Sequence, residues 1–87
     1  MADRLRLRIY TPEREFVDRE VREVTAPGAL GEIGVLPDHA TLVTALEPGV
    51  LSYREDGEVR RLTIGAGFAE VRDNVMTVLA DSAAPAS

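Results

Sequence analysis

The 87-residue chain has one histidine, and an aspartate precedes it: Asp38-His39. An acid beside an imidazole is the beginning of a general-base arrangement. Adjacency argues against that use. Neighbouring residues of an extended chain point to opposite sides, so Asp38 cannot readily orient the His39 ring. No serine or threonine lies in a nucleophile-elbow sequence, and there is no cysteine to serve as thiolate or zinc ligand. A lone histidine with only Glu32 and Asp38 near it in sequence is a weak metal set. Gly65-Ala66-Gly67 resembles the opening of a dinucleotide fingerprint, but the third glycine is missing and a strand pattern follows where a helix is needed. It reads as a bend between strands. No catalytic residue, cofactor or metal is expected.

Gly28, Gly31 and Gly34 punctuate the run GALGEIG. Glycine permits positive φ or close backbone approach. The run is either an array of surface turns or a rigid loop that presents Glu32 and Ile33 to a partner. Composition leaves both readings open.

Charge and size narrow the classes. Fifteen acidic against ten basic residues give a net charge of −5. A phosphate backbone repels such a domain, so nucleic acid is excluded as an expected partner. All ten basic residues are arginine. A coding bias explains that, and so does the fit of a planar guanidinium to interface ion pairs. No apolar run approaches the roughly 18 residues of a helical membrane span, and the N-terminus lacks a signal-peptide pattern, so nothing in it directs the chain out of the cytoplasm. A chain of this length forms one domain with a thin core.

The elements that must position these residues read mostly as strands. Leu5, Leu7 and Ile9 alternate with Arg4, Arg6, Arg8 and Tyr10, a half-buried strand ended by Thr11-Pro12. The next segment is ambiguous. Val17, Val21 and Val24 fall at i, i+4 and i+7, which predicts a helix capped by Thr11 with Pro12 at its first position. A strand there needs a bulge or turn between Val21 and Val24. Pro37 excludes a central strand at its position. Segments 50–54 and 59–64 flank Glu55-Asp56-Gly57-Glu58, and segments 67–71 and 75–80 flank Arg72-Asp73-Asn74; both are hairpin signals. Such spacing predicts a small all-β sandwich or barrel of short antiparallel strands over residues 1–81. The uncharged, proline-containing stretch 82–87 is expected to be a disordered tail. The expected core is Leu5, Leu7, Ile9, Val24, Leu62, Ile64, Phe68, Val71, Val78 and Leu79.

Several motifs together resemble the N-terminal domain of the epsilon subunit of F-type ATP synthase. They are Thr11-Pro12-Glu13-Arg14-Glu15, Ala26-Pro27-Gly28, the run from Gly31-Glu32-Ile33-Gly34 through Val35-Leu36-Pro37-Asp38-His39-Ala40, then 42–46, Pro48-Gly49-Val50, 65–71 and 75–81. The resemblance covers residues 5–81. It implies a flattened β-sandwich in which residues 15–26 are extended, with a turn near Asp18-Arg19, in place of the helix that periodicity predicts. It implies a non-catalytic rotor subunit at the foot of the central stalk, which couples the gamma subunit to the c ring of a proton- or ion-translocating synthase. Its implied location is the cytoplasmic face of a bacterial inner membrane, held there through the complex. Carried over by residue, Gly31, Glu32 and Ile33 would face the c ring, and Pro37, His39 and Ala40 the gamma subunit. Members of the family usually continue into a C-terminal helical hairpin that inhibits hydrolysis or binds ATP. No C-terminal helical domain is expected here, and 82–87 reads as the end of a naturally short subunit. The alternative function is a stand-alone β-sandwich binding module that kept the fold without the rotor.

Overall fold

Ten strands hold about two thirds of the described residues, and the two C-terminal hairpins trace to turn chemistry in the sequence. The computed structural model describes residues 1–86. The strands are β1 (Leu5–Tyr10), β2 (Glu15–Val21), β3 (Glu23–Gly28), β4 (Gly31–Val35), β5 (Leu42–Leu46), β6 (Gly49–Glu55), β7 (Glu58–Ile64), β8 (Gly67–Arg72), β9 (Val75–Ala80) and β10 (Ala83–Pro85). Their order in the sheet is β10-β7-β6-β3-β5-β8-β9-β1-β2, with β4 attached to β3 off that path. All pairings are antiparallel except β1 with β9. The sheet curls until β2 lies against β6, which gives the all-β, nearly closed sandwich its single interior.

The helix expected from Val17, Val21 and Val24 is not formed. Thr11 and Pro12 sit instead in the turn between β1 and β2, which is closed by reciprocal backbone bonds between Thr11 and Arg14 at 2.9 and 3.3 Å. A spacing of four is even, so it serves a strand as well as a helix. Val17 and Val21 both face inward, opposite Ile9 and Leu5. The odd step to Val24 is absorbed at Arg22, where the chain turns the corner from β2 into β3. That corner also corrects the turn expected near Asp18-Arg19, since both residues lie inside β2.

The two C-terminal hairpins follow their turn residues. Gly57 takes φ 77° between β6 and β7. Asp73 and Asn74 take φ 50° and 63° between the paired Arg72 and Val75. Two left-handed residues in a two-residue loop match the right-handed twist of the strands, and Asn and Asp tolerate that region best after glycine.

The core departs from expectation at two residues. Phe68 is 60% and Leu79 54% exposed. Strand parity is the reason: Ala69 and Val71 of β8 point inward with Met76, Val78 and Ala80 of β9, so Phe68 and Leu79 must point out. Fully buried residues missing from the expected set include Val21, Val35, Leu51 and Met76. The segment expected to be a disordered tail is also ordered in part. Ala83 pairs with Ile64 and Pro85 with Leu62, and the Ala86 N–H reaches the Arg61 carbonyl at 3.0 Å. Small residues fit there because β7 has a free edge that needs only backbone partners. Ser87 lies outside the described residues.

Candidate functional site: contact surfaces

Asp38 and His39 occupy the loop between β4 and β5, and their side chains have different hydrogen-bond partners. Asp38 has φ 63°. Its carboxylate accepts the Ala2 N–H at 2.8 Å, and its own N–H donates to Asn74 Oδ1 at 2.9 Å. His39 turns away, with Nδ1 2.7 Å from the Ala40 carbonyl oxygen. A carbonyl oxygen only accepts, so Nδ1 carries a proton in this contact. The His39 N–H closes a turn onto the Leu36 carbonyl at 3.2 Å. Pro37 and His39 are half-buried and Ala40 is exposed, so all three offer surface on one short turn.

Gly31, Glu32 and Ile33 lie elsewhere. The run read as surface turns or a rigid loop is instead a paired strand over most of its length, β4, and the turn itself is Ala29-Leu30. Gly28 and Gly31 face each other at its base, where a Cβ on Gly28 would meet the Gly31 carbonyl. Gly31 takes φ 130°, a conformation that L side chains rarely adopt. Glu32 is exposed opposite Pro27 and takes part in none of the ion pairs of the described residues. Ile33 is half-buried and packs on the core, so it presents less surface than Glu32. Leu30 at the tip is fully exposed. Residues 37, 39 and 40 thus lie on the β4–β5 loop, and residues 31–33 on β4 itself.

A third surface escaped the sequence. Phe68 and Leu79 stand opposite each other on the outer face of β8 and β9, with Val43 of β5 and Tyr10 of β1 on the same face. Two shallow depressions flank them, one of about 360 Å³ bordered by Tyr10, Pro12 and Asp81, the other of about 210 Å³ between Val43 and Thr77. Alternation in β8 and β9 could have found this face: Phe68 and Val71, or Val78 and Leu79, cannot share one side of a strand.

The arginines are largely engaged within the fold. Asp56, at the β6–β7 turn, accepts Arg22 Nε at 2.6 Å and Arg4 Nη2 at 2.9 Å. Glu55 accepts Arg60 Nε at 2.9 Å and Arg19 Nη1 at 3.1 Å. The contacts of Arg4, Arg19 and Arg22 join the β6–β7 turn to the residue before β1, to β2 and to the Arg22 corner, across the gap where the sheet nearly closes. Hydrogen bonds from Arg22 and Arg4 hold the Asp56 carboxyl below its ordinary range. Burial pushes the Glu55 carboxyl up, but the hydrogen bonds of Arg60 and Arg19 outweigh it and leave it lowered. The described residues contain no cluster of histidine, aspartate and glutamate able to hold a metal ion.

Comparison with known proteins matches these features. The family model described as ATP synthase, Delta/Epsilon chain, beta-sandwich domain, aligns with residues 4–86. The ATP synthase epsilon chain of Carboxydothermus hydrogenoformans is 45% identical over 83 residues, which is 95% of this chain and 62% of that one. The epsilon chain of Desulfitobacterium hafniense is 44% identical over 85 residues, 98% of this chain and 64% of that one. The chain therefore spans less than two thirds of the length of these relatives. Among solved structures, a chain of the Euglena gracilis mitochondrial ATP synthase, in a complex described as OSCP/F1/c-ring, superposes with a TM-score of 0.91 at 27% identity, covering 98% of this chain and 55% of that one. A chain of the Tetrahymena thermophila mitochondrial enzyme shares the fold, with a TM-score of 0.81 at 18% identity over 92% of this chain and 65% of that one. With a match across all but its first few residues and its last, the chain belongs to the beta-sandwich domain family of the ATP synthase delta and epsilon chains.

Proposed function

We propose that the chain is a non-catalytic rotor subunit of an F-type ATP synthase, linking the gamma subunit to the c ring at the cytoplasmic face of a bacterial inner membrane. The observation that carries this reading is the exposed apolar face of Val43, Phe68 and Leu79 on a domain of this family. Large aliphatic and aromatic side chains left side by side in water mark a surface that a protein partner covers. The near relatives are epsilon chains, and the similar solved structures come from assemblies described by central stalk and c ring.

The loop surface of Pro37, His39 and Ala40, continued along β5 by Val43, is assigned to gamma. The Glu32 surface, with Gly31 and Ile33 behind it, is assigned to the polar loops of the c ring. Glu32 is the free carboxylate of that pair of surfaces, so it selects a basic group on the ring. On this reading the domain has no chemistry of its own, in keeping with the His39 ring bonded to the Ala40 carbonyl, the Asp38 carboxylate accepting the Ala2 N–H, and the Asp38 N–H donating to Asn74 Oδ1.

Co-purification of the full chain with gamma and with the c ring tests the proposal. Capture of both is expected. Capture of neither favours a stand-alone binding module that retained the fold.

A further inference from the structure

Three stretches far apart in sequence meet at Asn74. Its Oδ1 accepts the Asp38 N–H at 2.9 Å, and its Nδ2 donates to the Arg4 carbonyl at 2.7 Å. Its own carbonyl accepts the Arg6 N–H at 3.1 Å. The Asp38 carboxylate in turn accepts the Ala2 N–H. The two side-chain contacts fix the orientation of the amide independently. One partner is a donor and the other an acceptor, so a flipped amide would lose both bonds.

The β8–β9 turn does not need that amide. It needs only a residue that accepts positive φ at position 74, and glycine does so without strain. The two side-chain bonds reach outside the hairpin. One goes to the start of β1, and the other goes to the loop that carries His39. Asp38 has a left-handed backbone, which aspartate tolerates better than most residues but still at some cost, so the contacts of its N–H and carboxylate help to hold it there.

We propose that Asn74 is the positioning residue of the 37–40 turn, so that the geometry of the gamma-facing loop is set from the β8–β9 turn. The proposal rests on the assignment of that loop to gamma given above, and the readouts keep the two apart.

Asn74→Gly removes both side-chain bonds and keeps the turn. In the full chain, amide hydrogen exchange at Asp38 is expected to become about fivefold faster or more, the loss of one net hydrogen bond. Amides of β6 and β7 are expected to keep their rates. Asn74→Asp keeps an acceptor for the Asp38 N–H and is expected to restore slow exchange there, which a purely turn-forming role would not distinguish from Asn74→Gly. Capture of gamma by Asn74→Gly is expected to weaken several-fold, with c-ring capture unchanged. An Asp38 amide that exchanges at the wild-type rate in Asn74→Gly overturns the proposal. A faster Asp38 amide with undiminished gamma capture upholds the positioning role and overturns the gamma assignment. In the unmodified chain the Asp38 amide must exchange more slowly than that of Ala40. Equal rates overturn the proposal whether or not a variant folds.

Discussion

Phe68 and Leu79 face each other directly across β8 and β9, and both side chains project into solvent on the outside of the sheet. A pair of large apolar side chains in cross-strand contact stabilises the hairpin only slightly when one side of it is wet. Its main consequence lies with a partner. Phe68→Ser and Leu79→Ser should leave the denaturation midpoint within about 0.5 kcal/mol of the parent, as exposed substitutions usually do. Gamma capture should fall about tenfold or more if these residues are interface anchors. Parent-like capture by the double variant would remove this face from the proposed interface.

Glu32 and His39 separate the two assigned surfaces. Glu32→Arg should weaken c-ring capture more than Glu32→Gln, because it adds repulsion to the lost attraction. The Gln variant should cost only about 0–1 kcal/mol, the usual worth of an exposed ion pair. His39→Trp should impair gamma capture and spare the ring. Loss of gamma with an intact ring contact in Glu32→Arg would reverse the two faces.

Gly67 and Gly34 make a matched pair of stability tests. A Cβ on Gly67 would collide with the Leu79 carbonyl, a rigid backbone group that cannot yield without opening the β8–β9 ladder. Gly67→Ala should therefore cost about 1–3 kcal/mol or more, the range for overpacking. Gly34 has no atom within 4 Å of its added Cβ. Gly34→Ala should be neutral or slightly stabilising, since a strand glycine is entropically unfavourable. Urea denaturation of the two variants side by side checks both signs.

Acid should loosen the seam at the β6–β7 turn. The Asp56 and Glu55 carboxyls lie below their ordinary values of 3.8 and 4.5 in the folded chain. A lowered native pKa gives stability that is fully present above the unfolded value and is lost as pH falls through the folded one. The contribution is therefore intact at neutral pH and declines from roughly pH 4.5 downward. High salt should weaken the same exposed pairs at neutral pH. Denaturant midpoints measured from pH 7 to pH 3 should fall less steeply for Glu55→Gln/Asp56→Asn than for the parent. Parallel curves would show that the seam carries no such linkage.

Much of this architecture was legible because turns are local. Asp56-Gly57 and Asp73-Asn74 announce their hairpins from two residues each, and the Leu5, Leu7, Ile9 alternation announces β1. Val17, Val21 and Val24 misled because a helical spacing of four is also an even spacing. Only the corner at Arg22, held by Asp56 from 34 residues away, resolves the parity. Phe68 and Leu79 mislead because Ala69 and Val71 of β8 and Met76 and Val78 of β9 take the inward positions of the alternation and turn these two outward. Of the candidate site, the exposure of Glu32 follows from its charge. The role of Asn74 does not follow from anything nearby, since its side-chain partners lie 36 and 70 residues away.

The parallel pairing of β1 with β9 sets the order in which the molecule can form. Leu7 waits for Met76 and Ile9 for Val78. Until those residues leave the ribosome, β1 can pair only with β2, and its other edge stays open to any passing strand. Closing so long a loop is costly in chain entropy and slows folding relative to hairpin formation. A nascent chain that stalls before Val75 therefore holds the hairpins up to β7 but neither the β8–β9 hairpin nor the sandwich, and is the species from which aggregation would start.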